Sequence, residues 1–239
     1  MVSDADTTIY LFGTFHSLDR DTSWFGARVR AAFDLSDELV LETVVPTDPA
    51  ELHDALVRHG LAKPITAGQP VVASTEAPAF VASAGKAMAA GRSLGMSVEF
   101  GADAVLRRSA DAVGKKVDGL ESFDEQLGMF VGLPQGQAPS AAPAVAAEPL
   151  PVMLDTMRAA WRKGDAARFS TILGSVKDSS PAAYRALFVD RNAHWADWLA
   201  ARMDRPGTVF VAVGTGHLIG EDSVQAKLAA RGLRARRIG

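Results

Sequence analysis

The chain has 239 residues, 48% hydrophobic and 22% charged, enough apolar material for a real core and not the composition of a disordered chain. A net charge of −3 gives no electrostatic footprint for nucleic acid. There is no cysteine, which excludes disulfides, thiolate nucleophiles and Cys-type zinc sites, so any metal would need His and carboxylate ligands.

No run of about 18 apolar residues occurs, so no transmembrane segment is expected. Residues Met1 to Asp6 lack the basic and apolar regions of a signal peptide. Thr7 to Phe12 (TTIYLF) then reads as a buried strand ending at Gly13. Thr22 to Ala32 reads as a helix, and Glu38 to Val45 (ELVLETVV) as a second strand closed by Pro46. Asp48-Pro49 opens a helix with an Asp cap and a first-turn proline, and Gly60 lies just past its end. Pro64, Gly68, Pro70 and Pro78 break the next stretch; helices follow over Phe80 to Gly95 and Asp103 to Val113, with Gly95 to Phe100 a short strand or loop between them. Lys115 to Glu121 is a further strand, and Ser122 caps the helix after it.

From 134 to 150 the composition shifts to Ala, Pro, Gly and Gln, a connector inside the domain. Three helical segments follow, Pro151 to Trp161, Asp165 to Leu173 and Pro181 to Met203. Thr208 to Val213 (TVFVAV) is the strongest strand in the chain; a helix over Glu221 to Ala230 stops at Gly232, and Leu233 to Ile238 reads as a last strand. Strands alternating with helices give an α/β fold, in which ligands collect where strands end and loops begin.

The chemistry-bearing pattern is a repeat. Gly13-Thr14-Phe15-His16 and Gly214-Thr215-Gly216-His217 each follow an apolar strand. In each, Gly permits a sharp turn, Thr can bond local backbone, and His is displayed at the sheet edge, free to bind a metal or carry a proton. One such histidine is ordinarily a partly buried residue; two in matched contexts, among five in the chain, point to a site. Glu42 lies in an apolar strand, where a carboxylate must be paired unless it faces water. Glu121, at a strand-helix junction, is either a second site acid or an ordinary first-turn acid favoured by the helix dipole. Arg191 and Asn192 fall among Phe188, Trp195 and Leu199 on an apolar helix face and need polar partners there. His194, His53 and His59 lie outside any motif and read as surface residues.

In this order, GTxH at Gly13 to His16, Glu42, GLE at Gly119 to Glu121, the pair Arg191-Asn192, and GTGHLIG at Gly214 to Gly220 resemble the TraB/GumN-like family, whose relatives include the Tiki metalloproteases. The resemblance implies a single compact α/β domain over 1–239 with two related strand-GTxH halves, a helical insertion, and both histidine loops at one cleft. It also implies a divalent-metal-dependent hydrolase, a peptidase, acting on a peptide or other small polar substrate. His16 and His217, with Glu42 or Glu121, would hold Mn, Co or Zn; the other of the two carboxylates would act as general base, and Arg191 and Asn192 would orient substrate or stabilise an oxyanion. Relatives are commonly exported, which implies a periplasmic or secreted protein. Two alternatives stay open: a metal-independent Glu/His esterase, and a non-catalytic binder of haem or a saccharide.

Overall fold

A computed structural model describes residues 1–64, 78–134 and 148–238. Among these, five strands form one sheet: β1 (Val2–Ser3), β2 (Thr7–Thr14), β3 (Glu38–Leu41), β4 (Lys116–Gly119) and β5 (Gly207–Gly214). Their order is β1-β2-β5-β3-β4. β2, β5, β3 and β4 are parallel, and β1 adds antiparallel to the outer edge of β2. The protein is therefore mixed α/β.

The central strand explains itself. Val209 to Val213 is buried on both faces, which is why this segment is an unbroken apolar run rather than an alternating one. Val209, Val211 and Val213 point to a cluster with Ile9, Val40, Trp195 and Leu199. Phe210 and Ala212 point to the other face, against Phe33, Leu39, Leu41 and Leu106. The helices that supply these partners are α1 (Ala27–Asp34) and α4 (Ala102–Ala112) on one side and α9 (Arg191–Met203) and α10 (Val224–Ala229) on the other. Each fully buried Val or Leu contributes roughly 1.5–3 kcal/mol of transfer free energy.

The remaining helices are α2 (Pro49–Arg58), α3 (Ala79–Ser93), α5 (Phe123–Gly132), α6 (Leu150–Lys163), α7 (Ala166–Ser179) and α8 (Pro181–Tyr184). Local rules set their starts. Asp48 accepts from the Ala50 amide ahead of Pro49, and Ser122 and Glu125 form a reciprocal capping box at α5. The Pro181 to Met203 segment is helical throughout but not uniform: a π-helical stretch, Arg185–Asp190, joins α8 to α9. Such wider turns occur often at functional sites.

Several boundaries differ from the sequence expectation. The first helix begins at Ala27, because Trp24 and Phe25 are held in ring contacts with each other and Trp24 stacks on Phe12. β3 stops at Leu41, so Glu42 lies just past the strand and not inside it. Leu233 to Ile238 is no strand; it makes one backbone pair, Arg236 with Met1, at 2.8 Å in each direction. Gly68 and Pro70, and most of the 134–150 connector, lie outside the described residues. Nor is His53 a surface residue: it is 9% exposed and its Nε2 has no partner among the described residues, while half-buried His59 bonds Asp124 at 3.0 Å.

Candidate functional site

Four parallel strands deliver four chemical groups to one edge. His16 comes two residues after β2, Glu42 one after β3, Glu121 two after β4 and His217 three after β5. All four lie beyond strand carboxyl ends, where open α/β sheets gather their ligands. The two GTxH turns are neighbours because β2 pairs with β5, with Thr14 opposite Gly214. Ladder hydrogen bonding also runs past the ends of β3 and β4, the Glu121 amide donating to the Glu42 carbonyl at 3.0 Å. That bond places the two glutamates side by side.

Arg191, at the first position of α9, fills the space between them. Its Nη2 donates to Glu121 Oε1 at 2.6 Å and Glu42 Oε2 at 2.7 Å, and its Nε donates to Glu121 Oε2 at 3.0 Å. The Leu187 carbonyl accepts from Nη1 at 3.2 Å, and the guanidinium stacks over Trp195 at 4.5 Å. The side chains of Arg191, Glu42 and Glu121 are each only 10–11% exposed. A two-pronged guanidinium is the side chain suited to bridging two buried carboxylates. Burial alone would raise the Glu42 carboxyl; the imidazoles of His217 and His16, the Arg191 charge and the Gly214 amide outweigh it and hold its pKa at about 2. The Gly214 amide reaches Glu42 Oε1 at 2.6 Å.

His217 is fixed by its neighbours. Asn192 Nδ2 donates to the Asp222 carbonyl at 2.8 Å, which turns Asn192 Oδ1 toward His217 Nδ1 at 2.6 Å. The ring proton therefore sits on Nδ1, and Nε2 accepts from Arg191 Nη1 at 3.1 Å. The ring packs between Trp195 and Phe188, with centroids 4.4 and 5.0 Å away. Burial, aided by the Arg191 charge, pushes its pKa down to about 3, so it is a neutral acceptor.

His16 is different. Its side chain is 62% exposed, and Nδ1 lies 2.8 Å from Asp103 Oδ2 at the start of α4. The Asp103 carboxylate raises its pKa to about 9, and water on the open side of the ring screens that pull. Glycine brings the two sides together: His16 Nε2 and Glu42 Oε1 lie 2.9 and 3.0 Å from the place a Cβ on Gly214 would take. Gly101 does the same for α4, since a Cβ there would meet the His16 carbonyl at 2.1 Å. Thr14 Oγ1 and Thr43 Oγ1, next to these strand ends, are buried without a protein partner among the described residues.

All six expected site residues are thus in one cluster. Glu121, Glu42 and His217 contact Arg191 directly, Asn192 acts through His217, and His16 faces Glu42 across Gly214. Arg191 does not reach out to a surface acid. Asp103 was missed, because an acid in a helical first turn is ordinarily explained by the helix dipole, and only the fold brings it to His16. The arrangement does not fit a metal held by both motif histidines: Arg191 occupies the His217 Nε2 lone pair and already bridges both carboxylates. Among the described residues no set of three His, Asp or Glu side chains is placed to hold a metal ion.

Fold and cluster together define an α/β protein with a charged site at the carboxyl edge of a parallel sheet. The chain belongs to the TraB/PrgY/gumN family, whose model matches residues 1–237. No curated protein and no solved structure matches it significantly.

Proposed function

We propose that the chain is a hydrolase acting on a peptide or another small polar substrate, with His16 moving the proton against a fixed Glu42-Arg191-Glu121-His217 cluster. One observation carries this reading: His16 is the cluster's exposed titratable group, and Asp103 orients it toward Glu42. Asp103 fixes the ring and stabilises its protonated form, so at neutral pH His16 is an acid able to protonate a leaving group. Glu42, ionised and held by the Gly214 amide, would orient the attacking water and accept its proton as the water adds, while His16 gives its own proton to the leaving group. Arg191 and Asn192 act as positioning residues: the first holds both carboxylates and the second fixes the His217 tautomer. The unpartnered Thr14 and Thr43 hydroxyls suit a polar substrate.

A panel of p-nitrophenyl esters and unblocked peptides, assayed with and without a strong chelator, tests the proposal. Turnover that persists in chelator and is lost in His16→Gln supports it. Turnover that needs added Mn, Co or Zn would instead establish the metal-dependent peptidase that the family resemblance implies. No turnover, with saturable haem or saccharide binding, would make the protein a binder. The family resemblance supports a periplasmic or extracellular location, which fractionation of the native cells would measure.

A further inference from the structure

A second cavity lies behind the two GTxH turns, at the edge of β2 away from the charged cluster. It measures about 720 Å³, within the range of small-molecule sites. Its floor is an open sheet edge. β1 pairs only with Thr8 and Ile9, so Tyr10 to Phe12 has no strand partner on that side among the described residues. Its walls are aromatic: Trp24 stacks on Phe12 with centroids 5.5 Å apart, and Trp161 stands 5.9 Å from Trp24 and edge-on to Phe12 at 6.4 Å. These three rings are only partly buried, and they face the cavity.

The rim is mainly cationic. Arg28 on α1, Arg162 and Lys163 at the end of α6, and Arg236 near the C-terminus come from three separate elements of the fold. None of these four side chains has an ion-pair partner among the described residues. Asp165, the carboxylate at the rim, already caps α7 through the Ala167 and Arg168 amides. These exposed cations, in a chain with net charge −3, give an aromatic cavity a positively charged mouth, a combination that suits an amphipathic anion.

We propose that this cavity binds a small amphipathic carboxylate, its acyl or aryl body against Trp24, Trp161 and Phe12 and its head among Arg28, Arg162 and Lys163. Apolar walls with a few placed charges are what such ligands select. The site is independent of the hydrolytic reading. It also touches the first GTxH turn, because Trp161 Nε1 donates to the Gly13 carbonyl at 2.9 Å. Occupancy would therefore be felt at that turn.

Two of the chain's four tryptophans line the cavity and report on it. The experiment titrates the full chain with decanoate and with 1-naphthoate, following tryptophan fluorescence, with decanol as the uncharged control. The expected result is saturable quenching by both anions. Binding should weaken at least tenfold in the double variant Arg28→Glu/Lys163→Glu, whose positions are exposed and tolerate the exchange, and remain unchanged in His16→Gln. Absence of saturable binding would overturn the proposal. So would decanol binding as tightly as decanoate, or affinity unchanged by the charge reversal.

Discussion

Replacing Arg191 by methionine keeps the aliphatic stem and removes the one guanidinium that bridges Glu42 and Glu121. Two nearly buried carboxylates would then stand side by side without their counter-charge. Breaking such a buried pair costs roughly 3–5 kcal/mol. The depression of the Glu42 pKa from 4.5 to about 2, to which Arg191 contributes together with His217, His16 and the Gly214 amide, corresponds to about 3 kcal/mol in all at 1.36 kcal/mol per unit. Because the folded pKa is depressed, that contribution is present above pH 4.5 and drains away as pH falls toward 2. In Arg191→Met, burial dominates and the carboxyl takes up a proton at higher pH. The variant should therefore be about 3–5 kcal/mol less stable than the native chain at pH 7, with the gap narrowing toward pH 4. Urea denaturation at several pH values measures both. A gap under about 1 kcal/mol at pH 7, or one that does not change with pH, would refute the account of Arg191 as the balancing charge.

Other outcomes follow from the same geometry. The two histidines predict opposite limbs of a stability profile: His217, lowered to about 3, favours the fold above its ordinary 6.5 and loses that contribution as pH falls, while His16, raised to about 9, loses its contribution as pH rises from 6.5 through 9. Stability should peak near pH 6.5 to 7, and His16→Gln should flatten the alkaline limb in thermal melts taken across pH. Asp103→Asn should lower the His16 pKa, readable by NMR titration of the ring, and shift any pH-rate profile the same way. Gly214→Ala keeps an allowed backbone but drives a methyl between His16 and Glu42, so turnover should collapse while stability falls by about 1–3 kcal/mol. Gly101→Ala, which meets backbone at 2.1 Å, should be the more damaging of the two glycine exchanges in a thermal melt.

Much of this site could be read from the chain because its residues sit where local patterns are strongest. The apolar runs of β2 and β5 each end in the same Gly-Thr step, and Glu42 and Arg191 stood out as charges on apolar faces. What could not be read was partnership. Nothing local distinguishes an arginine bridging two glutamates 70 and 149 residues away from one that reaches solvent. His53 was misjudged for a similar reason, since its helix buries it only through tertiary packing. Phe25 has near-helical spacing with Val29 and Phe33, yet ring contacts hold Trp24 and Phe25 before the helix begins. The π-helical turn ahead of Arg191 has no sequence signature comparable to a cap or a proline.

β5 lies in the middle of the sheet but is the last strand to leave the ribosome. Until residues 207–214 emerge, β2 and β3 have no strand to share, and four of the five strands are made before the one that unites them. The sheet must therefore close by insertion rather than by growth at an edge, through contacts separated by about two hundred residues. Non-local closure of this kind slows folding and prolongs exposure of the apolar edges of β2 and β3. The nascent chain thus has a long interval in which a chaperone would find its target, and a stop codon anywhere before β5 removes the strand around which both sheet-face clusters pack, not only the second histidine.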